Sequence, residues 1–369
     1  MRPQRPIRFA VLVAVLVALL AGCAGSSTVG PNAPDSAAAA SQAKSFVTYA
    51  TANKWGNYGE EFTKFCEGKF GFDCNRPERS QGEDLLSAQE IEKFDAEKNN
   101  PVAALADIGI LFMGQAKTAG VLADYQPPNA AMLPAELHGP GWVTTFVGVP
   151  AVLVNATFLE AHGLPIPHSW HDLLNPAYKS MIGLSRVGVS GSATWAFLAM
   201  NLAAGGTVSD FSPGVAYARQ LLPNLTDQAT IDTFEKGETP ISVRYDFNHA
   251  TWLGQLRTDG IDAQLIVPTD GSVYSPETLM LNRYDVAHAD FGKLFMDWVL
   301  TDAGQELFAK FGSRPIRSVV GDNKLVVPDD LRVNWLPDEA YAPVQTIDFR
   351  SIDSDHLADV WQNQVLAGS

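Results

Sequence analysis

The chain has 3 cysteines and 7 histidines in 369 residues, and no run of basic side chains after its first few positions. Scarce thiols leave zinc poorly served: beyond Cys23 only Cys66 and Cys74 remain, and two further ligands are missing nearby. The histidines are scattered. The only close pair, His168-x-x-His171, lacks the carboxylate pattern of a zinc enzyme and reads as a solvated loop beside Trp170. The formal net charge of -15 without a basic patch argues against nucleic acid or an anionic membrane surface as partner. No phosphate-cradling loop ends in Lys-Ser or Lys-Thr, and Gly188-Val189-Ser190-Gly191-Ser192 lacks the last glycine of a nucleophile elbow. The longest apolar run, Phe9 to Ala21, is shorter than the roughly 20 residues a membrane-spanning helix needs. No repeat of fixed period is present, which removes solenoids.

What is there begins with an export signal. Arg2, Arg5 and Arg8 precede the apolar run, and the run ends at Leu20-Ala21-Gly22-Cys23 before a stretch of Gly, Ser, Pro and Ala. This resembles a bacterial lipobox, with Cys23 acylated after cleavage; the alternative is an ordinary small-residue cleavage site. In an exported chain Cys66 and Cys74, eight residues apart, are expected to close a short disulfide loop. About 345 mature residues exceed what one core usually supports, so two lobes are expected. With 46% apolar and 18% charged residues the chain is a packed globular protein.

Residues 24–43 read as a flexible tether, with order beginning at a strand near Ser45–Ala50 and a helix over Trp55–Phe65. A second strand, Ala106–Phe112, stops at Gly109. Trp142–Asn155, carrying Gly148 and Pro150, reads as a strand crossing to a second lobe, and Ala263–Gly271 as its return. Alternation of strand and helix patterns predicts α/β lobes with largely parallel sheets. Phe291, Leu294, Phe295, Trp298 and Val299 form one apolar face of a helix within Asp290–Lys310.

Several of these stretches together resemble the type 2 periplasmic-binding superfamily, in its cluster of iron(III), polyamine, thiamine, phosphonate and sugar-phosphate binders. They are Tyr49-Ala50-Thr51-Ala52-Asn53, Asp107-Ile108-Gly109, Gly148 to Asn155, Pro167 to Lys179, Val189-Ser190-Gly191-Ser192, Asp297 to Glu306 and Gly312-Ser313-Arg314-Pro315-Ile316-Arg317. Each motif is weak alone; in this order along nearly the whole mature chain they are specific. The resemblance implies two α/β lobes, two hinge strands and a central ligand cleft. The expected organisation is a signal peptide over 1–22, a lipidated tether over 23–43, a first lobe over 44–147, a second over 148–266, and the first lobe again with C-terminal helices over 267–369.

For the ligand, the resemblance points to the Ser190, Gly191 and Ser192 loop, where free N–H groups at a helix N-terminus suit phosphate, phosphonate or carboxylate; the plainer reading is that a serine caps its own helix. Asn53, Trp55 and Tyr58 mix polar tips with aromatic faces and are either ligand contacts or core. Asp107 stands at a strand end facing the expected cleft. At the place where the iron binders carry two adjacent tyrosines only Tyr245 matches, followed by Asp246, which weakens an iron reading. Arg244 could clamp an anion and Asp246 an ammonium, or the two form a surface ion pair. Asp270 reads as a turn former.

The expectation is therefore a monomeric, non-enzymatic, extracytoplasmic receptor, held to the cell membrane by its N-terminal lipid. It delivers a small anionic or zwitterionic solute, such as an organophosphonate or phosphate ester, to an ABC permease and its ATPase subunit, with no cofactor or metal. Polyamine or thiamine is the rival ligand class and ferric iron the next. A hydrolase or a structural surface lipoprotein is the alternative class.

Overall fold

The computed structural model describes residues 33–53, 55–81, 85–321, 324–352 and 354–367. The export signal and Cys23 lie outside them. Residues 34–369 form one compact unit that contains two sheets.

The first sheet runs Arg314–Pro315, Trp142–Gly148, Ser275–Leu281, Leu105–Gly109, Thr48–Tyr49, Ser80–Gln81, with the short strand His138–Gly139 added beside Trp142–Gly148. The second runs Ala263–Ile266, Pro150–Asn155, Ile241–Tyr245, Ile182–Gly183, Leu225–Thr226. The crossing strand expected over 142–155 is two strands broken at Val149, one in each sheet. Its counterpart leaves the second sheet after Ile266 and enters the first at Ser275. The first crossing is almost wholly apolar or β-branched and both its strands are buried throughout, as strands covered on two faces require.

The sheets are mixed rather than largely parallel. In each, only the strands farthest from the crossings pair in parallel, as Thr48–Tyr49 does with both neighbours and Ile182–Gly183 with its own. The crossing strands insert antiparallel, Ser275–Leu281 between Leu105–Gly109 and Trp142–Gly148. A strand that arrives from the other lobe enters opposite in sense to the local strand-helix-strand units.

The helix expected from Asp290 to Lys310 is two, Ala289–Trp298 and Asp302–Phe311, because Thr301 stops one and caps the next with its hydroxyl on Gly304 N–H. Phe291 and Phe295 stack on Phe62, with Phe62 and Phe295 4.1 Å apart, so the first lobe's core is an aromatic cluster. Cys66 and Cys74 are joined as a disulfide.

Two ends depart from expectation. Part of the supposed tether is the helix Ser36–Gln42, capped by Asp35, with Ala39 buried and Gln42 Oε1 accepting Phe291 N–H at 2.9 Å. A run of alanines is a poor core but a good helix, and its small side chains allow close docking. At the other end, the helix Ser354–Asp359 and the π-helical segment Val360–Leu366 pack mainly on the second lobe. Trp361 meets Phe197 edge-on at 5.2 Å, and Arg219 Nε donates to Gln364 O at 2.8 Å. Gln115 of the first lobe donates to Asp355, so this segment touches both lobes. Leu357, Val360 and Val365 are buried there, and that apolar stripe decides where the chain end docks.

Candidate functional site

Between the sheets lies a cleft of about 830 Å³. Seven of the ten expected ligand residues line it: Trp55, Asp107, Ser190, Gly191, Ser192, Arg244 and Tyr245. Ser87, Glu90, Trp252 and Glu277 join them.

On the second-lobe side, the helix Gly191–Ala203 starts at Ser190, whose side chain caps no N–H of the helix. Ser190 Oγ and Ser192 Oγ lie 3.2 Å apart, while Thr194 Oγ1 takes Gly188 N–H and donates to Ser190 O. The loop is held by Thr194, so the serine hydroxyls and first N–H groups remain available to a ligand. Arg244, at the end of the strand Ile241–Tyr245, has no ion pair among the described residues; its guanidinium stands over the Trp252 ring, 5.7 Å from the centroid. Burial alone brings its guanidinium down to about 10, still charged at neutral pH.

The first-lobe side is acidic. Asp107 is buried and held by two donors, Trp55 Nε1 at 2.8 Å on Oδ1 and Tyr58 Oη at 2.6 Å on Oδ2. Glu277 Oε1 accepts Tyr245 Oη at 2.6 Å. Glu277 stands near enough to Asp107 for the charge of Asp107 to act on it. Two carboxyls this close share one proton. Burial raises Asp107 to about 7, opposed by its donors, and burial followed by the charge of Asp107 raises Glu277 well above the carboxylate range, so Glu277 is the one that keeps its proton at neutral pH. Glu90 stands apart from this network. It is 1% exposed, its Oε2 has no partner, and burial followed by the charges of Asp107 and Glu277 raises it well above its ordinary value.

Three expected residues do not line the cleft. Tyr58 is fully buried behind Asp107. Asn53 accepts Arg79 Nη2 at 3.1 Å within the first lobe. Asp246 sits at the hinge, taking Val149 N–H at 2.9 Å and Tyr341 Oη at 2.8 Å, where Arg314 helps to hold it against the upward pull of burial. It is neither an ammonium site in the cleft nor an ion-pair partner of Arg244, because the helix Asp246–Thr258 begins with it and turns it away from Tyr245. Asp270 stands in the turn closed by Gly271 N–H on Pro268 O at 3.1 Å, and its side chain accepts the Trp170 and His171 N–H groups at 2.9 and 3.0 Å. Among the described residues no group of three or more His, Cys, Asp or Glu side chains is placed to hold a metal.

Two mixed sheets joined by paired crossings around a polar cleft define a two-lobed solute-binding fold. The chain belongs to the bacterial extracellular solute-binding protein family, whose model matches residues 103–342. An uncharacterized protein of Haemophilus influenzae is 27% identical over 240 residues, 61% of this chain; the chain spans 66% of that relative, just under two thirds. Among solved structures it resembles AfuA of Actinobacillus pleuropneumoniae, a periplasmic binding protein with fructose-6-phosphate bound (TM-score 0.67, 20% identity, 87% of this chain and 98% of that one). A ferric binding protein of Campylobacter jejuni (TM-score 0.61, 16%, 86% and 98%) and a putative spermidine/putrescine ABC transporter protein of Listeria monocytogenes (0.58, 15%, 87% and 99%) share the fold.

Proposed function

We propose that this protein is the extracytoplasmic substrate-binding component of an ABC importer, without catalytic activity, and that it captures a small anionic or zwitterionic solute such as an organophosphonate or phosphate ester. The observation that carries the ligand class is Arg244, a charged, half-buried guanidinium lining the cleft together with an uncapped helix N-terminus. A phosphate or phosphonate would accept from Arg244, from the Ser190 and Ser192 hydroxyls, and from the first N–H groups of the helix. Trp55 would cover the rest of the ligand, with Asp107 and Tyr245 at the cleft floor and Tyr58 holding Asp107 in place. Closure around the ligand, bending at Val149 and after Ile266, would present one shape to the permease. Lipidation at Cys23 would keep a monomeric receptor at the membrane, and no helix among the described residues is long and apolar enough to cross it.

Glu90, Asp107 and Glu277 favour a second reading, polyamine or thiamine, in which the acidic side is the anchor. A thermal-shift screen of the full chain with alkylphosphonates, phosphate esters, polyamines and thiamine separates the two. At about a hundred times its dissociation constant a ligand adds roughly 2.7 kcal/mol. The anion reading expects stabilisation by a phosphonate or phosphate ester that Arg244→Ala abolishes. Stabilisation by cations alone, unaffected by Arg244→Ala, would sink it.

A further inference from the structure

Glu90 and Arg244 line the same cleft, one from each lobe, and form no ion pair. Arg244 lacks any anionic partner among the described residues. Asp107 accepts from both Trp55 and Tyr58, and Glu277 Oε1 accepts from Tyr245. Glu90 has no such donors: its Oε2 is buried, unpartnered and on the cleft wall. A buried carboxyl without a donor stays protonated or waits for a cation. The cleft thus keeps an unpaired cation and an unpartnered carboxyl apart, and a ligand that pairs with both removes both penalties.

We infer that the ligand is a zwitterion whose protonated amine is taken by Glu90 while its phosphate or phosphonate lies on Arg244 and the N-terminus of the helix Gly191–Ala203. The inference rests on the anion reading above and narrows it: a hexose phosphate, which carries no cationic group, would satisfy Arg244 and leave Glu90 without its cation. The serines set the anionic end on the second lobe and Ser87, whose Oγ already accepts Gly109 N–H at 3.1 Å, stays on the first-lobe wall beside Glu90. A zwitterion therefore bridges the lobes, and its two charges together favour the closed form.

The test is titration calorimetry on the full chain with 2-aminoethylphosphonate, ethylphosphonate, a hexose phosphate and putrescine. A charge-assisted hydrogen bond predicts that the aminophosphonate binds roughly tenfold or more tighter than ethylphosphonate. Isosteric Glu90→Gln should bring that ratio toward one, with the unliganded melting temperature confirming that the variant folds. The ratio in the unmutated chain is decisive even if the variant does not fold. Equal binding of the two phosphonates, or tighter binding of the hexose phosphate, overturns the inference and leaves the anion reading standing. Binding of putrescine with no phosphonate or phosphate bound overturns both.

Discussion

Gly109 and Gly191 face each other across the lobes, and a Cβ built on Gly109 would stand 3.3 Å from the Gly191 Cα. A Cβ on Gly191 would meet Ser87 Oγ at 3.3 Å and Gly109 Cα at 3.5 Å. The Ala88 N–H donates to Val189 O at 3.4 Å in the same seam. Lobe contact here is close backbone against backbone, and a Cβ at either glycine would make its neighbours give by a few tenths of an ångström.

Gly191→Val therefore acts on closure rather than on folding. Its branched side chain adds two methyls where a Cβ alone already stands 3.3 Å from Ser87 Oγ. Ligand affinity should fall about tenfold or more, roughly 1.4 kcal/mol, while the melting temperature without ligand changes little. Small-angle scattering with saturating ligand checks the mechanism: the variant should keep a larger radius of gyration than the unmutated chain. An unchanged affinity would show that the seam opens without cost.

The acidic floor gives the ligand-free protein a pH dependence of known sign. Asp107 rises from 3.8 to about 7 on folding, and Glu277 and Glu90 rise as well. Between each ordinary value and its folded one, the folded chain binds more protons than the unfolded chain, so stability falls as pH rises through that window. Buried His249 has the opposite sign: burial, then Arg244, lowers it, and its contribution is lost as pH drops below about 6.5. Above that pH His249 is neutral in both states and the carboxyls act alone. Urea unfolding should show lower stability at pH 8.5 than at pH 6.5, and Glu277→Gln should flatten the slope. A stability that holds or climbs over that interval would mean that water reaches these carboxyls.

The hinge carboxylate is a structural anchor. Asp246→Ala removes the acceptor of Val149 N–H and Tyr341 Oη and leaves Arg314, stacked 3.7 Å over the Tyr341 ring, without its counter-charge. The loss should be about 3 kcal/mol in urea. Asp246→Asn, which keeps an acceptor for Val149, should lose clearly less. If Asp246→Ala instead abolished ligand binding at unchanged stability, the hinge assignment would be wrong.

The crossings were readable because Trp142–Asn155 is a continuous β-type run interrupted at Gly148 and Pro150, a local pattern that survives into the fold. The Ser190 loop and Arg244 were readable as well, since a helix start and a strand end reveal themselves locally. Glu90 and Glu277 were not. Glu90 lies among other polar residues of the helix Ser87–Ala96, where nothing local separates a cleft wall from a solvated face. Glu277 did leave a trace, a carboxyl inside the otherwise uncharged strand Ser275–Leu281, and a buried charge there demands partners. Tyr245 and Asp246 are neighbours in sequence with opposite destinations, because the strand ends between them.

The docking of the chain end on the second lobe has its own consequence. Ala358 packs against Gly188, whose φ of +81° and absent Cβ permit an approach that a methyl there would block at 2.6 Å. Gly188 begins the loop that carries Ser190 and Ser192, and its N–H is taken by Thr194 Oγ1. The segment Ser354–Leu366 thus braces the ligand loop from behind while Trp361 covers Phe197. Trp361→Ala should cost about 3 kcal/mol through the exposed core, and hydrogen exchange should quicken at residues 188–194 before it does in the first lobe. Ligand affinity should weaken with it, since the loop's N–H groups lose their fixed orientation. Quickened exchange spread evenly over both lobes would instead mark the segment as a cover for the core with no hold on the site.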